Sequence, residues 1–254
     1  GVPHHVQIGR AGISNTQLVF GASTAWRYAT GNINIGHAGA GTGYNFSLGT
    51  STGGDVRLEG NWLRYPNASF TPNNRAVFFT GTNSPQTVTI NGGGTETFSY
   101  LVLNKPTGIV QLSSGTNAVV NGNLGGDNLQ MLSGNIDLNG QQMEWGGTGD
   151  LQTDGGLREI FSATPATFLV TGGDRAIRPT NGGTLHFDNQ TTVIISAGLN
   201  FGPSTTTINS TLQLNPFGFA NVHAPFYGPQ GRLVYNNGGT YLRRVEWRGV
   251  DGLP

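Results

Sequence analysis

The chain contains no cysteine, so neither disulfides nor thiolate metal sites hold it together. Charge is also scarce. Only 10% of the 254 residues are charged, 13 basic against 13 acidic. No basic field is present to track a phosphate backbone, which argues against nucleic acid as a partner. Of the basic residues only Lys105 is a lysine, so the polar surface must be built mainly from Asn, Thr, Ser and Gln. No apolar run approaches the ~18 residues of a membrane-spanning helix, and membrane insertion is not expected. Helical i, i+3, i+4 spacing is essentially missing. No signal peptide and no initiator methionine are visible, and the sequence opens at Gly1 in mid-phrase. That start predicts a processed or excised piece. The Cys-free, Asn/Thr/Gly-rich composition suits a secreted bacterial protein.

What the chain has is a repeated phrase: a short apolar strand, a Gly/Asn turn, another strand. It reads Val119-Val120-Asn121-Gly122-Asn123-Leu124, then Met131-Leu132-Ser133-Gly134-Asn135-Ile136-Asp137-Leu138-Asn139-Gly140, then Met143-Glu144-Trp145-Gly146-Gly147. Period-2 alternation recurs from Val6-Gln7-Ile8 to Val245-Glu246-Trp247, in runs of about three to five residues. Strands so short cannot bury a core unless each turn of chain stacks on the one before. With 42 Gly and 12 Pro, turns are plentiful. The expected fold is all-β: a single right-handed parallel β-helix over residues 1–254, with roughly ten coils of about 20 to 25 residues. Val77, Phe79, Leu101, Leu103, Leu124, Ile136 and Leu138 are expected in the core. Leu157-Arg158-Glu159-Ile160-Phe161 is spaced as one helical turn. Asn121, Asn123, Asn135 and Asn139 either stack as amide ladders or simply tolerate left-handed turns. The aromatic-rich stretch from Pro216 to Gly231 reads as a longer loop packed on one face.

Residues 53 to 147 carry a family resemblance. Gly53-Gly54-Asp55-Val56-Arg57-Leu58-Glu59-Gly60-Asn61-Trp62 is followed by Phe70-Thr71-Pro72 and Val77-Phe78-Phe79-Thr80-Gly81. Then come Phe98-Ser99-Tyr100-Leu101-Val102-Leu103-Asn104-Lys105 and Ser133-Gly134-Asn135-Ile136-Asp137-Leu138-Asn139-Gly140. This order resembles the β-helical repeat regions of large secreted, adhesin-like surface proteins of Bacteroidota, many of them cargo of the type 9 secretion route. The resemblance implies a cell-surface or extracellular location and a repetitive parent. It also implies that the Arg243-to-Trp247 phrase, which closes with Gly252-Leu253-Pro254, leads into a further Pro3-to-Gly9 phrase. Val6 and Ile8 of one copy would then meet Val245 and Trp247 of the next, end to end.

Candidate chemistry is sparse. His4-His5 alternate across a strand and so cannot share a metal; His37, His186 and His223 are isolated. Gly146-Gly147-Thr148-Gly149-Asp150 approaches a calcium nonapeptide, but Asp150 arrives one residue early and the motif does not recur. Asp127, Asp150, Asp154 and Asp174 form at best a weak oxygen site. Asp137 and Glu144 are the nearest carboxylate pair for glycan hydrolysis, though both read as solvent-facing. Lys105, next to Pro106, reads as an exposed turn residue. The Gly36-to-Gly43 and Gly92-to-Gly94 stretches lack the helix and lysine of phosphate loops. Trp62 and Trp145 sit on core-patterned strands, whereas Trp26, beside Arg27 and Tyr28, is the best exposed platform for a glycan. No catalytic residue, cofactor or metal is assigned. The expected role is a stiff structural or adhesive module that pairs with copies of itself and contacts glycan surfaces. The alternative is a carbohydrate-binding or polysaccharide-cleaving β-helix.

Overall fold

The computed structural model describes residues 1–203, 205–242 and 244–247. Arg243 and the closing Gly252-Leu253-Pro254 phrase lie outside the described residues. Among the described residues every regular element is a strand, and all inter-strand pairings with a defined register are parallel. The chain winds through about nine turns of a β-solenoid. One sheet is traced inward by Val6, Ile33, Trp62, Val88 and Leu112; a neighbouring column of the same sheet runs from Val110 through Ile136, Ile160, Phe187 and Ile208 to Tyr227. A second runs from Phe98 through Val120, Trp145, Val170, Ile195 and Leu214 to Tyr235. A third stacks Ala29, Leu58, Phe79, Leu103 and Met131. Each column places like side chains one above another, so the core is continuous along the axis.

Coil length is not uniform. The register step is 29 residues from Ile33 to Trp62 and 19 from Ile208 to Tyr227. The difference is absorbed in the loops between sheets. Where the corner is tight, one strand passes through it unbroken: Tyr100–Leu112 and Asp127–Asp137 each belong to two sheets. Gly108 and Gly134 make this possible. They stack at the same corner with φ of +95° and +90°, where an added Cβ on Gly134 would press on the Gly108 carbonyl at 3.1 Å.

The second sheet has a break. Gln17–Val19, Tyr44–Ser47 and Ala68–Thr71 form a separate three-stranded sheet, and Ala68–Thr71 does not pair with the next strand on that side, Gly94–Phe98. Arg64 spans the gap. Its guanidinium donates to the Ala68 carbonyl at 3.1 Å and the Thr95 carbonyl at 3.0 Å, and its Nε donates to Glu96 at 2.9 Å. Glu96, 2% exposed, also accepts from Trp62 Nε1 at 2.9 Å. A charged side chain thus replaces the missing ladder bonds, and its counter-ion lies inside the core.

Most core expectations hold: Val77, Phe79, Leu101, Leu103, Ile136 and Leu138 are buried, as are Trp62 and Trp145. Leu124 is not; it is 65% exposed. The chain turns out of the strand at Gly122, with Gly125 and Gly126 in the left-handed region, and this lifts Leu124 off the core. Leu157 to Phe161 is no helical turn but the start of the strand Leu157–Val170, and these five residues pair with Thr184 to Asp188. Period-2 burial of Ile160 against Phe187 prevails over the weak local spacing. Asn135 bonds Glu159 rather than another amide, and Asn139 sits at φ +48° and donates to the Leu112 carbonyl. These two asparagines therefore serve as cross-coil and turn residues, not as an amide ladder.

Candidate functional site

Two features stand out: the open amino-terminal end and the outer face of the third sheet. At the end, the strands Val6–Ile8, Gln17–Val19 and Arg27–Ala29 each pair on one side only. Between them lies a cavity of about 610 Å³, walled by Val6, Leu18, Phe20, Ile33 and Phe46 among others. It is the interior of the solenoid seen end-on. Phe20 packs edge-on to Phe46, with ring centres 5.2 Å apart, and the aromatic column continues inward to Phe70, Trp62 and Phe98.

The opposite end is closed differently. Val245, Glu246 and Trp247 were expected as a strand but lie in a turn. Glu246 is fully buried; its carboxylate accepts from the Tyr235 hydroxyl and from Arg244 N, and its carbonyl accepts from the Tyr227 hydroxyl. Burying a carboxylate demands donors, and those on the last coil draw the segment back across it. Burial among these groups pushes the Tyr227 and Tyr241 hydroxyls well above the ordinary tyrosine range. Leu242 and Val245 remain exposed on this end.

On the third sheet, side chains alternate with the core column and so face outward. Tyr28, Arg57, Phe78, Val102, Gln130, Gln152 and Arg178 stand in register, one per coil. Arg57 is held between rings: its Cζ lies 3.7 Å from the centre of Trp26 and 4.4 Å from that of Phe78. Two depressions flank this column. One, of about 560 Å³, is lined by Trp26, Tyr28, Arg57, Thr80 and Asn104. The other, of about 440 Å³, includes Asp55, Arg75, Phe78, Tyr100, Leu124 and Asp127. The Tyr100 hydroxyl accepts from Leu124 N at 2.8 Å, which pins the exposed Leu124 loop as the rim.

The Trp26, Arg27, Tyr28 platform is therefore divided. Trp26, 53% exposed, and Tyr28 reach the groove. Arg27 falls in the inward register opposite Val56 and lies over Phe20 at the open end, 5.1 Å from its ring centre. Neighbours on a strand point to opposite faces. Tyr28 donates to Glu59, and this bond, with burial second, raises the Tyr28 hydroxyl above its usual range. Burial likewise pushes the Asp127 carboxyl up, against the pull of Arg178 at 3.2 Å.

Comparison with family models, with curated proteins and with solved structures finds no match. The likeness to secreted adhesin-like repeats thus rests on the sequence phrases alone. Asp137 and Glu144 lie on different sheets: Asp137 pairs into the first and accepts from Gln111 at 2.7 Å, while Glu144 pairs into the second and accepts from Thr171. They do not converge. Among the described residues no group of three or more metal-ligating side chains is found. The aspartates of the suggested oxygen site are instead spent on the protein: Asp150 and Asp174 accept from the amides of Ala176 and Gly198, Asp154 from Thr180 and Asn181. His4 bonds Thr30, and His5 accepts from Asn32 N.

Lys105 is the clearest surprise. Expected in an exposed turn, it is fully buried, and its ammonium donates to Gly81 O at 2.7 Å, Asn83 O at 2.8 Å and Gln86 Oε1 at 2.6 Å. No carboxylate is paired with it among the described residues, and burial lowers its pKa to about 8. Lys105 precedes the phase shift at the corner, so it stays in phase with Leu101 and Leu103 and points inward. That phase was visible in the sequence.

Proposed function

We propose that this chain is a structural, adhesive rod module of a secreted surface protein, and that its copies associate end to end. One observation carries the reading: the amino-terminal coil leaves three parallel strand edges unpaired and opens its apolar interior as a cavity of about 610 Å³. Exposed strand edges and uncovered core recruit further chain. The other end offers a fitting occupant, the apolar projection of Leu242 and Val245. The two ends differ, so the contact is head to tail and propagates rather than closing. Val245 and Trp247 lie in a turn, so the proposed contact is a side-chain plug against Val6 and its neighbours rather than a continued sheet. Between the ends, stacked ladders supply stiffness. The separation of Asp137 from Glu144 onto different sheets supports a non-catalytic role.

Sedimentation velocity over a concentration series tests this. The wild type should grow through species larger than a dimer, and Val6→Asp at one end or Leu242→Asp at the other should each return it to monomer. A wild type that stays monomeric at millimolar concentration refutes the reading.

A further inference from the structure

We propose that the outer face of the third sheet binds an acidic glycan, with Arg57 in one depression and Arg75 in the other each receiving an anionic group of the chain, and Trp26 and Phe78 offering ring faces. The inference does not depend on end-to-end assembly. It rests on an imbalance in how the charges of the groove are used. Each acid there already has a partner. Asp55 accepts from Ala76 N at 2.8 Å, Glu59 from the Tyr28 hydroxyl, and Asp127 from Arg178 at 3.2 Å. The two arginines have no carboxylate, although Arg57 meets the faces of Trp26 and Phe78. Arg75 is 9% exposed, lines the second depression, and has a buried Nε with no acceptor. Arg57 has a buried Nε with no acceptor as well, and among the described residues neither guanidinium forms an ion pair. Both cations are thus left without a counter-charge, and an anion in the groove supplies one through their terminal N–H groups.

The shape of the site selects the rest of the ligand. Arg57 is clamped between Trp26 and Phe78, so its planar fork is already oriented, which suits two-point binding of a carboxylate or sulfate. Aromatic faces beside it suit the apolar faces of sugar rings. The two depressions flank one column from Tyr28 to Gln130. At ordinary strand spacing that column is roughly 19 Å long, the form of a site for an extended chain. A zero net charge means that recognition depends on these local donors and not on a general positive field.

Titration calorimetry of the full chain with four polymers tests the proposal: polygalacturonate, a sulfated galactan, a neutral galactan and poly-L-glutamate. One or both acidic glycans should bind at least tenfold more tightly than the neutral galactan and than poly-L-glutamate, and their ratio identifies the preferred anion. Arg57→Gln and Arg75→Gln should each weaken that binding about tenfold. Trp26→Ala, at an exposed position, should weaken it with an unchanged melting temperature, which guards against misfolding of the arginine variants. Equal affinity for neutral and acidic glycans overturns the anionic assignment. Equal affinity for poly-L-glutamate, or no weakening in Trp26→Ala, overturns the glycan groove. Neither outcome bears on self-association, which sedimentation reads separately.

Discussion

Replacing Lys105 with methionine tests how the solenoid tolerates a buried cation. The ammonium is fully buried, and its pKa falls from 10.5 to about 8. The sign follows from proton counting. Below about pH 8 the lysine is charged in both folded and unfolded chains. Between about 8 and 10.5 the unfolded chain holds the proton and the folded chain does not, so the unfolded state binds more protons and stability rises with pH. The slope reaches at most about 1.4 kcal/mol per pH unit, and the whole span at most about 3.4 kcal/mol. The three acceptors on Gly81, Asn83 and Gln86 favour the charged form and make the real gain smaller. Above about pH 10 the tyrosines oppose the trend: the raised Tyr227 and Tyr241 hydroxyls ionise first in the unfolded chain, so stability falls there. Urea unfolding from pH 7 to 10 should show wild-type stability rising, whereas Lys105→Met should be flatter by about 1 kcal/mol or more across that interval. Methionine removes the titrating group and also leaves three acceptors unmet, so the slope is diagnostic and the absolute stability is not. Identical slopes in the two proteins would refute the assignment of Lys105 as a buried, depressed lysine.

Leu138→Ala and Leu101→Ala, each in a nearly dry core, should cost about 2 to 5 kcal/mol in denaturant unfolding; losses below about half a kcal/mol at both would mean that the inward column is wrongly assigned. Glu96→Ala strips the buried partner from Trp62 Nε1 and Arg64, and should cost about 3 to 5 kcal/mol. Glu96→Gln keeps an acceptor and should cost less, and a reversed order in the same assay would count against the bridged sheet break.

The repeated two-residue alternation was enough, read alone, to place Val77, Phe79, Leu103 and Ile136 inside a stacked parallel fold, because a side chain on a strand has only two directions. Read strictly, it also placed Lys105 in phase with Leu103 and Glu96 in phase with Phe98, against the ordinary preference of charge for water. Both are buried, since each keeps the phase of an inward neighbour two positions away, Leu103 or Phe98. Leu124 escaped the pattern because the strand ends at Val120 and the chain turns at Gly122 before it and at Gly125 and Gly126 after it. What the alternation could not supply was which residues meet across coils. Register steps vary between 19 and 29 residues, so no fixed spacing links Trp26 to Arg57 and Phe78, or Arg64 to Glu96. Those contacts exist only once each loop has taken up its own length and the coils have settled into register. The two depressions and their arginines are therefore properties of the stacked structure, while the core that holds them is a property of the sequence.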